Sequence, residues 1–183
     1  MRNSKTKKMI LNAILLGIGL ILHQIFPAIG GGITPDISLV MLFCIMVINK
    51  DDYKACLLAG IVAGLFAAMT TKFPGGQIPN VIDKFVTVNV MYLVMKLLFL
   101  NPFIEKLDKK GNQIVIVVMT LIGTIVSGLV FLSTASIVVG LPAGLTQLFV
   151  AVVLPATVIN VISAVILYNI IAVSLKRTSY QIG

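Results

Sequence analysis

The sequence predicts an all-α integral membrane protein, a single bundle of six transmembrane helices. Of the 183 residues, 58% are hydrophobic and only 11% are charged, whereas a soluble domain carries about 25% charged residues. The apolar residues form segments that approach the roughly 20 residues needed to cross a bilayer. The basic residues lie in short runs between these segments. We therefore attribute the net charge of +8 to membrane topology and not to nucleic-acid binding.

Six spans are predicted within one domain that comprises residues 1–183. Their approximate bounds are 9–29, 37–48, 55–69, 81–100, 114–139 and 155–175. No small-residue cleavage site follows the first segment, so we interpret it as a retained helix and not as a signal peptide. The second and third segments are short, which indicates a shielded polar region at their outer ends. Pro155 is expected to divide the last apolar stretch into a short re-entrant or interfacial piece, 145–154, and a full helix.

The placement of lysine and arginine predicts that both termini are cytoplasmic. In that orientation twelve of the 14 basic residues lie inside, whereas the outer loops hold only Lys72, and Lys84 lies within the fourth segment. Cytoplasmic loops of membrane proteins are enriched in these residues. We therefore expect a multi-pass protein of the cell membrane, embedded in lipid, whose outer loops face the extracellular side.

Small residues recur at a spacing of four, which places them on one face of a helix. The third segment carries two such ladders, formed by Ala59, Ala63 and Ala67 and by Gly60, Gly64 and Ala68. We interpret both ladders, and the pair Gly123 and Ser127 in the fifth segment, as internal packing. The first segment carries Ala13 and Gly17, where internal packing and docking of a partner helix both remain open.

The stretch 70–87, T-T-K-F-P-G-G-Q-I-P-N-V-I-D-K-F-V-T, is the richest in polar residues. Asp83 and Lys84 lie about one turn inside the fourth segment, where ionisable residues are costly and usually face a cavity or each other. Neighbours on a helix project about 100° apart, so we do not expect the two to pair directly. Asn80, Lys84 and Thr87 share a face. This chemistry suits a zwitterionic amino acid, although an ordinary turn and charges satisfied by other helices are the alternatives.

Further polar residues are predicted at the outer ends of other helices. His23 lies late in the first segment, Asp36 precedes the second, and Asn160 lies near the start of the sixth. With the loop before the fourth segment, they predict a pocket for a small ligand that faces the extracellular side. His23 by itself is more often a packed residue than a ligand contact, and Phe73 is a candidate aromatic wall.

The sequence lacks the motifs of several other functions. It contains no G-x-x-x-x-G-K-[ST] loop, no H-E-x-x-H and no G-x-S-x-G. Cys44, Cys56 and the single histidine do not form a metal-site pattern. We therefore expect no enzyme activity, metal or cofactor. The scarcity of deep charged residues also argues against a proton or sodium relay.

The stretch T-T-K-F-P-G-G-Q-I-P-N-x-I-D-K and the I-G-G-G-I-T-P-D before the second segment resemble the TrpP-type tryptophan-transport membrane proteins of Firmicutes. Such proteins are in turn similar to the S components of energy-coupling factor transporters. The resemblance implies a Gram-positive bacterial protein that binds L-tryptophan near the outer face and associates with a transmembrane T protein and two ATPases. It also implies docking to the T protein through Ala13, although Gly17 departs from the family's A-x-x-x-A motif.

Residue chemistry and the resemblance together predict twelve substrate-binding residues. They are Thr34, Asp36, Phe73, Gly75, Gly76, Gln77, Asn80, Asp83, Lys84, Thr87, Asn160 and His23. In this hypothesis Lys84 pairs with the carboxylate of tryptophan, and Asp83 or Asp36 pairs with its ammonium. Gln77, Asn80 or Asn160 forms hydrogen bonds with the polar groups of the ligand. The alternatives are an S component for another nutrient, such as a vitamin, and a stand-alone secondary carrier driven by an ion gradient.

Overall fold

A computed structural model describes residues 2–27 and 34–177 of the chain, and throughout these ranges the regular structure is helical. The predicted all-α class is therefore confirmed. The predicted loop residues 30–33 lie outside the described residues. In chain order the elements are α1 (Arg2–Ile25), α2 (Ile37–Ile48), α3 (Tyr53–Thr70), α4 (Gln77–Phe99), α5 (Pro102–Lys106), α6 (Asp108–Val138), α7 (Leu145–Leu148), a π-helical turn (Phe149–Val153) and α8 (Leu154–Arg177).

The short helix α2 lies at the centre of the bundle, and all of its residues are buried. It packs against α1, α3, α6 and α8. A helix that is apolar on every side needs protein or lipid around its whole circumference, and here protein surrounds it. The predicted bounds 37–48 are confirmed. Because α2 begins at the candidate site, its position fixes one wall of that site.

The helices α3 and α4 approach closely because small residues of α3 face α4. A Cβ atom added at Gly60 would lie 2.7 Å from the Val88 side chain, and one at Gly64 would lie 3.2 Å from the Cβ of Lys84. The alanine ladder of α3 is also buried, at Ala59, Ala63 and Ala67. The prediction of internal packing is confirmed, and this close approach holds Lys84 inside the bundle.

Several helix ends differ from the predicted bounds. α1 ends at Ile25 and not at residue 29. α4 begins at Gln77, before the predicted residue 81, because Pro79 is accommodated in its first turn, where an amide has no helical acceptor in any case. α6 begins at Asp108, before the predicted residue 114. The short helix α5 was not predicted.

The last apolar stretch is not divided at Pro155 as predicted. α7, the π-helical turn and α8 follow one another from Leu145 to Arg177 without an intervening loop. Pro155 is the second residue of α8, and the π-helical turn directly before it changes the backbone hydrogen-bond pattern next to the proline. The hydroxyl of Thr157 donates to the carbonyl of Val153 at 2.7 Å, which satisfies one backbone acceptor of this region.

Four helices of the described chain are long and apolar enough to cross a membrane. They comprise Lys5–Ile25, Tyr53–Thr70, Lys110–Val138 and Leu145–Arg177. α2 is apolar but shorter, and α4, which carries Asp83, Lys84 and Lys96, is not one of the four. The structure therefore supports a helical membrane protein but does not confirm the predicted number of six spans.

Candidate functional site

A cleft opens at the end of the bundle where α1 ends and α2 and α4 begin. It encloses about 670 Å³ when the open space at its mouth is included. Its walls are formed by α1, α2, α4, α6, the π-helical turn and α8, together with the segments directly before α2 and α4. The lining residues are His23, Thr34, Asp36, Leu39, Thr71, Lys72, Phe73, Asn80, Asp83, Lys84, Thr124, Ser127, Gly128, Phe131, Leu132, Val152, Val153, Ala156 and Asn160.

Asp36 is held in the cleft by its position as the N-cap of α2. Its Oδ1 accepts hydrogen bonds from the backbone amide of Leu39 at 3.0 Å and from the hydroxyl of Ser38 at 2.5 Å. A capping carboxylate satisfies a free amide of the first turn and interacts favourably with the helix dipole. The start of α2 therefore fixes a negative charge in the wall of the cleft.

Lys84 lies between two carboxylates. Its Nζ is 2.6 Å from Asp36 Oδ2 and 2.5 Å from Asp83 Oδ2. The prediction that Asp83 and Lys84 do not pair directly is therefore wrong. Neighbouring Cβ atoms do diverge by about 100°, but the flexible four-carbon stem of lysine brings the ammonium back to its neighbour.

Asp83 is almost fully buried, and both of its oxygens accept hydrogen bonds. The hydroxyl of Thr87 donates to Oδ1 at 2.9 Å, and the hydroxyl of Ser127 donates to Oδ2 at 2.8 Å. Thr87 therefore stabilises Asp83 through a hydrogen bond, although Thr87 itself does not line the cleft. From the sequence Ser127 is interpreted as a packing residue. Its spacing of four from Gly123 does not indicate that it faces Asp83 of α4.

We refer to Asp36, Lys84 and Asp83 as the charge cluster. Two carboxylates and one ammonium give it a net charge of −1. His23 Nδ1 lies 3.6 Å from Asp36 Oδ1, and Thr34 Oγ1 lies 3.4 Å from His23 Nε2. Lysine has three N–H donors, and the cluster occupies two of those of Lys84. The described residues contain no group of three or more His, Cys, Asp or Glu side chains arranged to hold a metal ion.

Two aromatic residues, Phe73 and Phe131, line the cleft. The rings of Phe73 and Phe131 meet edge to face, with their centroids 5.5 Å apart. Lys72, next to Phe73, donates to the backbone carbonyls of Gln24 at 3.1 Å and Phe26 at 2.7 Å. These two bonds tie the loop before α4 to the end of α1, so they hold the aromatic wall in position.

Asn160 lines the cleft from α8 and is fully buried. Its Nδ2 donates to Thr124 Oγ1 at 3.2 Å, whereas its Oδ1 has no hydrogen-bond partner among the residues that the structure describes. Thr124 lies three residues before Ser127 on α6. The contact with Asn160 is therefore about 4.5 Å along α6 from the contact between Ser127 and Asp83.

Eight of the twelve predicted site residues line the cleft. They are His23, Thr34, Asp36, Phe73, Asn80, Asp83, Lys84 and Asn160. The other four, Thr87, Gly75, Gly76 and Gln77, do not line it. Gly75 has a φ of +72°, and a Cβ atom there would lie 2.7 Å from Val139. The Pro-Gly-Gly turn therefore packs against the end of α6, while Gln77 is exposed.

The contribution of α6 to the cleft was not predicted. Its lining residues recur at spacings of three and four, so they occupy one helix face. They are Thr124, Ser127, Gly128, Phe131 and Leu132. The sequence does not mark this face clearly, because α6 is apolar on its other sides and carries no charged residue between Lys110 and Val138. The pattern that could have predicted this wall of the cleft is a polar residue at every third or fourth position of the helix.

The predicted docking face on α1 is uncovered in the described chain. Ala13 is exposed, and a Cβ atom added at Gly17 would meet no atom within 4 Å. Gly19, by contrast, packs against Met41, with a Cβ distance of 3.0 Å. Gly19 therefore serves internal packing, whereas Ala13 and Gly17 leave space on the outside of the bundle.

Comparisons with known proteins agree with one another. The family model described as tryptophan transporter TrpP matches residues 5–176. A probable tryptophan transport protein of Clostridium acetobutylicum is 46% identical over 93% of this chain and 94% of the relative. Proteins with the same description from Clostridium perfringens and Bacillus subtilis are each 44% identical, over 96% and 97% of this chain and 97% of each relative. No solved structure matches the chain.

Proposed function

The chain belongs to the TrpP tryptophan transporter family, and from this premise we propose that it captures tryptophan in the cleft. The observation that carries the proposal is the charge cluster, which lines the cleft, has a net charge of −1 and contains two buried members, Asp83 and Lys84. Ionisable residues inside a membrane protein are costly and are functional by default. An amino-acid zwitterion supplies both the cation and the anion that such a cluster binds.

Asp36 is the carboxylate that receives the ligand's ammonium group. Both carboxylates accept bonds from within the bundle, so exposure separates them: the side chain of Asp36 is 17% exposed, against 2% for Asp83. The ligand's carboxylate takes the third N–H of Lys84. This mode keeps the role that the sequence predicted for Lys84 and selects Asp36 from the two predicted ammonium partners.

At a finer level, the chain acts as the S component of an energy-coupling factor transporter. It binds tryptophan at the extracellular side and associates with a transmembrane T protein and two ATPases. The sequence contains no phosphate-binding loop, so import driven by ATP requires a separate ATPase. The uncovered face at Ala13 and Gly17 supports docking, because small residues allow close approach of a partner helix. The excess of basic residues in alternate loops supports the orientation.

Equilibrium binding in detergent tests the substrate. The chain contains no tryptophan, so the fluorescence of the ligand is measured without a tryptophan background from the protein. We expect saturable binding of L-tryptophan that an excess of L-leucine or riboflavin does not displace. Failure to bind tryptophan, or tighter binding of the vitamin, would contradict the proposal.

Reconstitution in liposomes tests the mode of transport. We expect tryptophan uptake when the chain is combined with a T protein, two ATPases and ATP. The chain by itself, under a proton or sodium gradient, is expected to give none. Uptake by the chain alone would identify a secondary carrier and would contradict the S-component role while leaving tryptophan as the substrate.

A further inference from the structure

We propose that the side-chain oxygen of Asn160 accepts a hydrogen bond from the indole N–H of tryptophan. This contact selects tryptophan over ligands of similar shape that lack the donor. The inference rests on the proposed function and deepens it by assigning one residue of the cleft to one atom of the ligand. Three observations support the inference. They are the unpaired oxygen of Asn160, the apolar lining of the cleft, and the distance between Asn160 and the charge cluster.

The unpaired atom is Asn160 Oδ1. Four buried side-chain atoms lack a hydrogen-bond partner among the described residues, and only those of His23 and Asn160 belong to residues that line the cleft. His23 Nδ1 still has Asp36 at 3.6 Å. For Asn160 the amide nitrogen donates to Thr124 at 3.2 Å, and the oxygen beside it is left without a hydrogen-bond partner. Buried polar groups without a partner are rare in folded proteins and need an explanation. A donor on the ligand provides one.

The lining of the cleft contributed by the π-helical turn and the start of α8 is apolar. It comprises Val152, Val153 and Ala156, and Ala156 lies four residues before Asn160 on α8, so the two share a helix face. The indole ring has a matching character, since it is a large apolar surface with one polar group, an N–H that can only donate. A wall with one unpaired acceptor therefore complements a ring with one donor.

The distance from the charge cluster suits the same ligand. Along α6, Ser127 bonds to Asp83 and Thr124 bonds to Asn160, so the two levels differ by about 4.5 Å, roughly one helical turn. A ligand whose ammonium and carboxylate occupy the cluster extends its side chain from that level toward Asn160. Phenylalanine fills the same walls but leaves Oδ1 unpaired, and a site built around a hydrogen bond disfavours such a ligand.

The test compares L-tryptophan with 3-(benzothiophen-3-yl)-L-alanine, in which sulfur replaces the indole N–H. Both affinities are measured by competition against radiolabelled tryptophan, for the wild type and for Asn160→Leu. We expect the wild type to bind the sulfur analogue about 5-fold to 150-fold more weakly, the effect of leaving one buried acceptor unpaired. In Asn160→Leu the two ligands should bind within about 2-fold of each other, because the acceptor is absent.

The matched control is Asn169→Leu, which makes the same substitution at an exposed position of α8 and should keep the wild-type preference. Asn160→Ala serves as a second variant in case leucine prevents folding. Equal affinities in the wild type would overturn the inference and leave tryptophan binding intact, as would a preference that survives in both Asn160 variants. A wild type that binds neither ligand would instead contradict the proposed function.

Discussion

Lys84 and Lys96 lie on the same helix and each meets an aspartate, but their surroundings differ. The Nζ–Oδ distances are nearly equal, 2.6 Å for Lys84 and Asp36 and 2.7 Å for Lys96 and Asp51. The side chain of Lys84 is only 1% exposed, whereas Lys96 is 40% exposed and Asp51 is 76% exposed. The two pairs are about 18 Å apart along α4, so they lie near its opposite ends.

The difference predicts that exposure, and not distance, decides how much each pair contributes to stability. Water screens the charges of Lys96 and Asp51, and either side chain is well solvated without the other. In the charge cluster Lys84 and Asp83 are almost fully shielded from solvent, so little water can replace a missing partner and each aspartate depends on Lys84. The same residue types therefore form a surface contact at one end of α4 and a candidate ligand site at the other.

The largest expected effect is on stability when Lys84 is replaced. Lys84→Met removes the only cation of the cluster and leaves the buried Asp83 and the partly buried Asp36 without their cation, which should lower the free energy of unfolding by about 3 to 5 kcal/mol. Lys96→Met, the same change on the same helix, should lower it by no more than about 1 kcal/mol. Both are measured by unfolding in mixed detergent and dodecyl sulfate micelles.

A variant in which the charge cluster is neutral distinguishes the effect of charge on stability from the effect of packing. The triple variant Asp36→Asn, Asp83→Asn, Lys84→Met has no buried charge and should recover most of the stability that Lys84→Met loses. If Lys84→Met were as stable as the wild type, the cleft would be hydrated enough to solvate both carboxylates. The contrast between the two ends of α4 would then disappear.

The next effect is on ligand affinity when Asp36 is neutralised. Asparagine is also a good N-cap, so Asp36→Asn should keep the start of α2 while removing the charge that receives the ammonium. We expect tryptophan to bind about 10-fold to 100-fold more weakly, the range for a hydrogen bond to a charged group. Asp51→Asn is the matched control and should leave the affinity unchanged. Equal affinities of the two variants in the fluorescence titration would exclude Asp36 as the ammonium partner.

Much of the fold follows from local patterns in the sequence. The bounds of α2 were predicted because Asp36 marks its start and a polar turn follows Ile48. The ladders of α3 were recognised as a packing face because small residues at a spacing of four have few other uses in lipid. The start of α4 was missed because Pro79 was taken as part of the preceding turn, although proline is also favoured in the first turn of a helix.

The site was predicted where a charge or an isolated polar residue interrupts an apolar segment, as at Asp36 and Lys84. It was not predicted where tertiary structure decides the contact. Ser127 has the local sequence of a packing residue, and only the position of α4 brings it to Asp83. The pairing of Lys84 with its neighbour was also missed, because Cβ directions on a helix do not describe where a long side chain ends.

The smallest expected effect belongs to Asp51 and Lys96. The hydrogen bond from Lys96, together with its charge, holds the pKa of Asp51 below its ordinary value of 3.8. A pKa lowered by folding stabilises the protein above the ordinary value, and this stabilisation is lost as the pH falls through the folded-state value. Since both side chains are exposed, a double-mutant cycle with Asp51→Asn and Lys96→Met should give a coupling of only about 0.5 kcal/mol at neutral pH.

Salt and acid should each remove this coupling. At about 1 M salt the screening length is about 3 Å, so the two charges hardly interact. At a pH well below 3.8 Asp51 is protonated and carries no charge. In both conditions the coupling energy of the double-mutant cycle should be near zero. The stability lost in Lys84→Met should change little with salt, because buried charges are screened much less than exposed ones. A salt-insensitive coupling of about 2 kcal/mol or more between Lys96 and Asp51 would contradict this account. Exposure would then not be the property that separates the two lysines of α4.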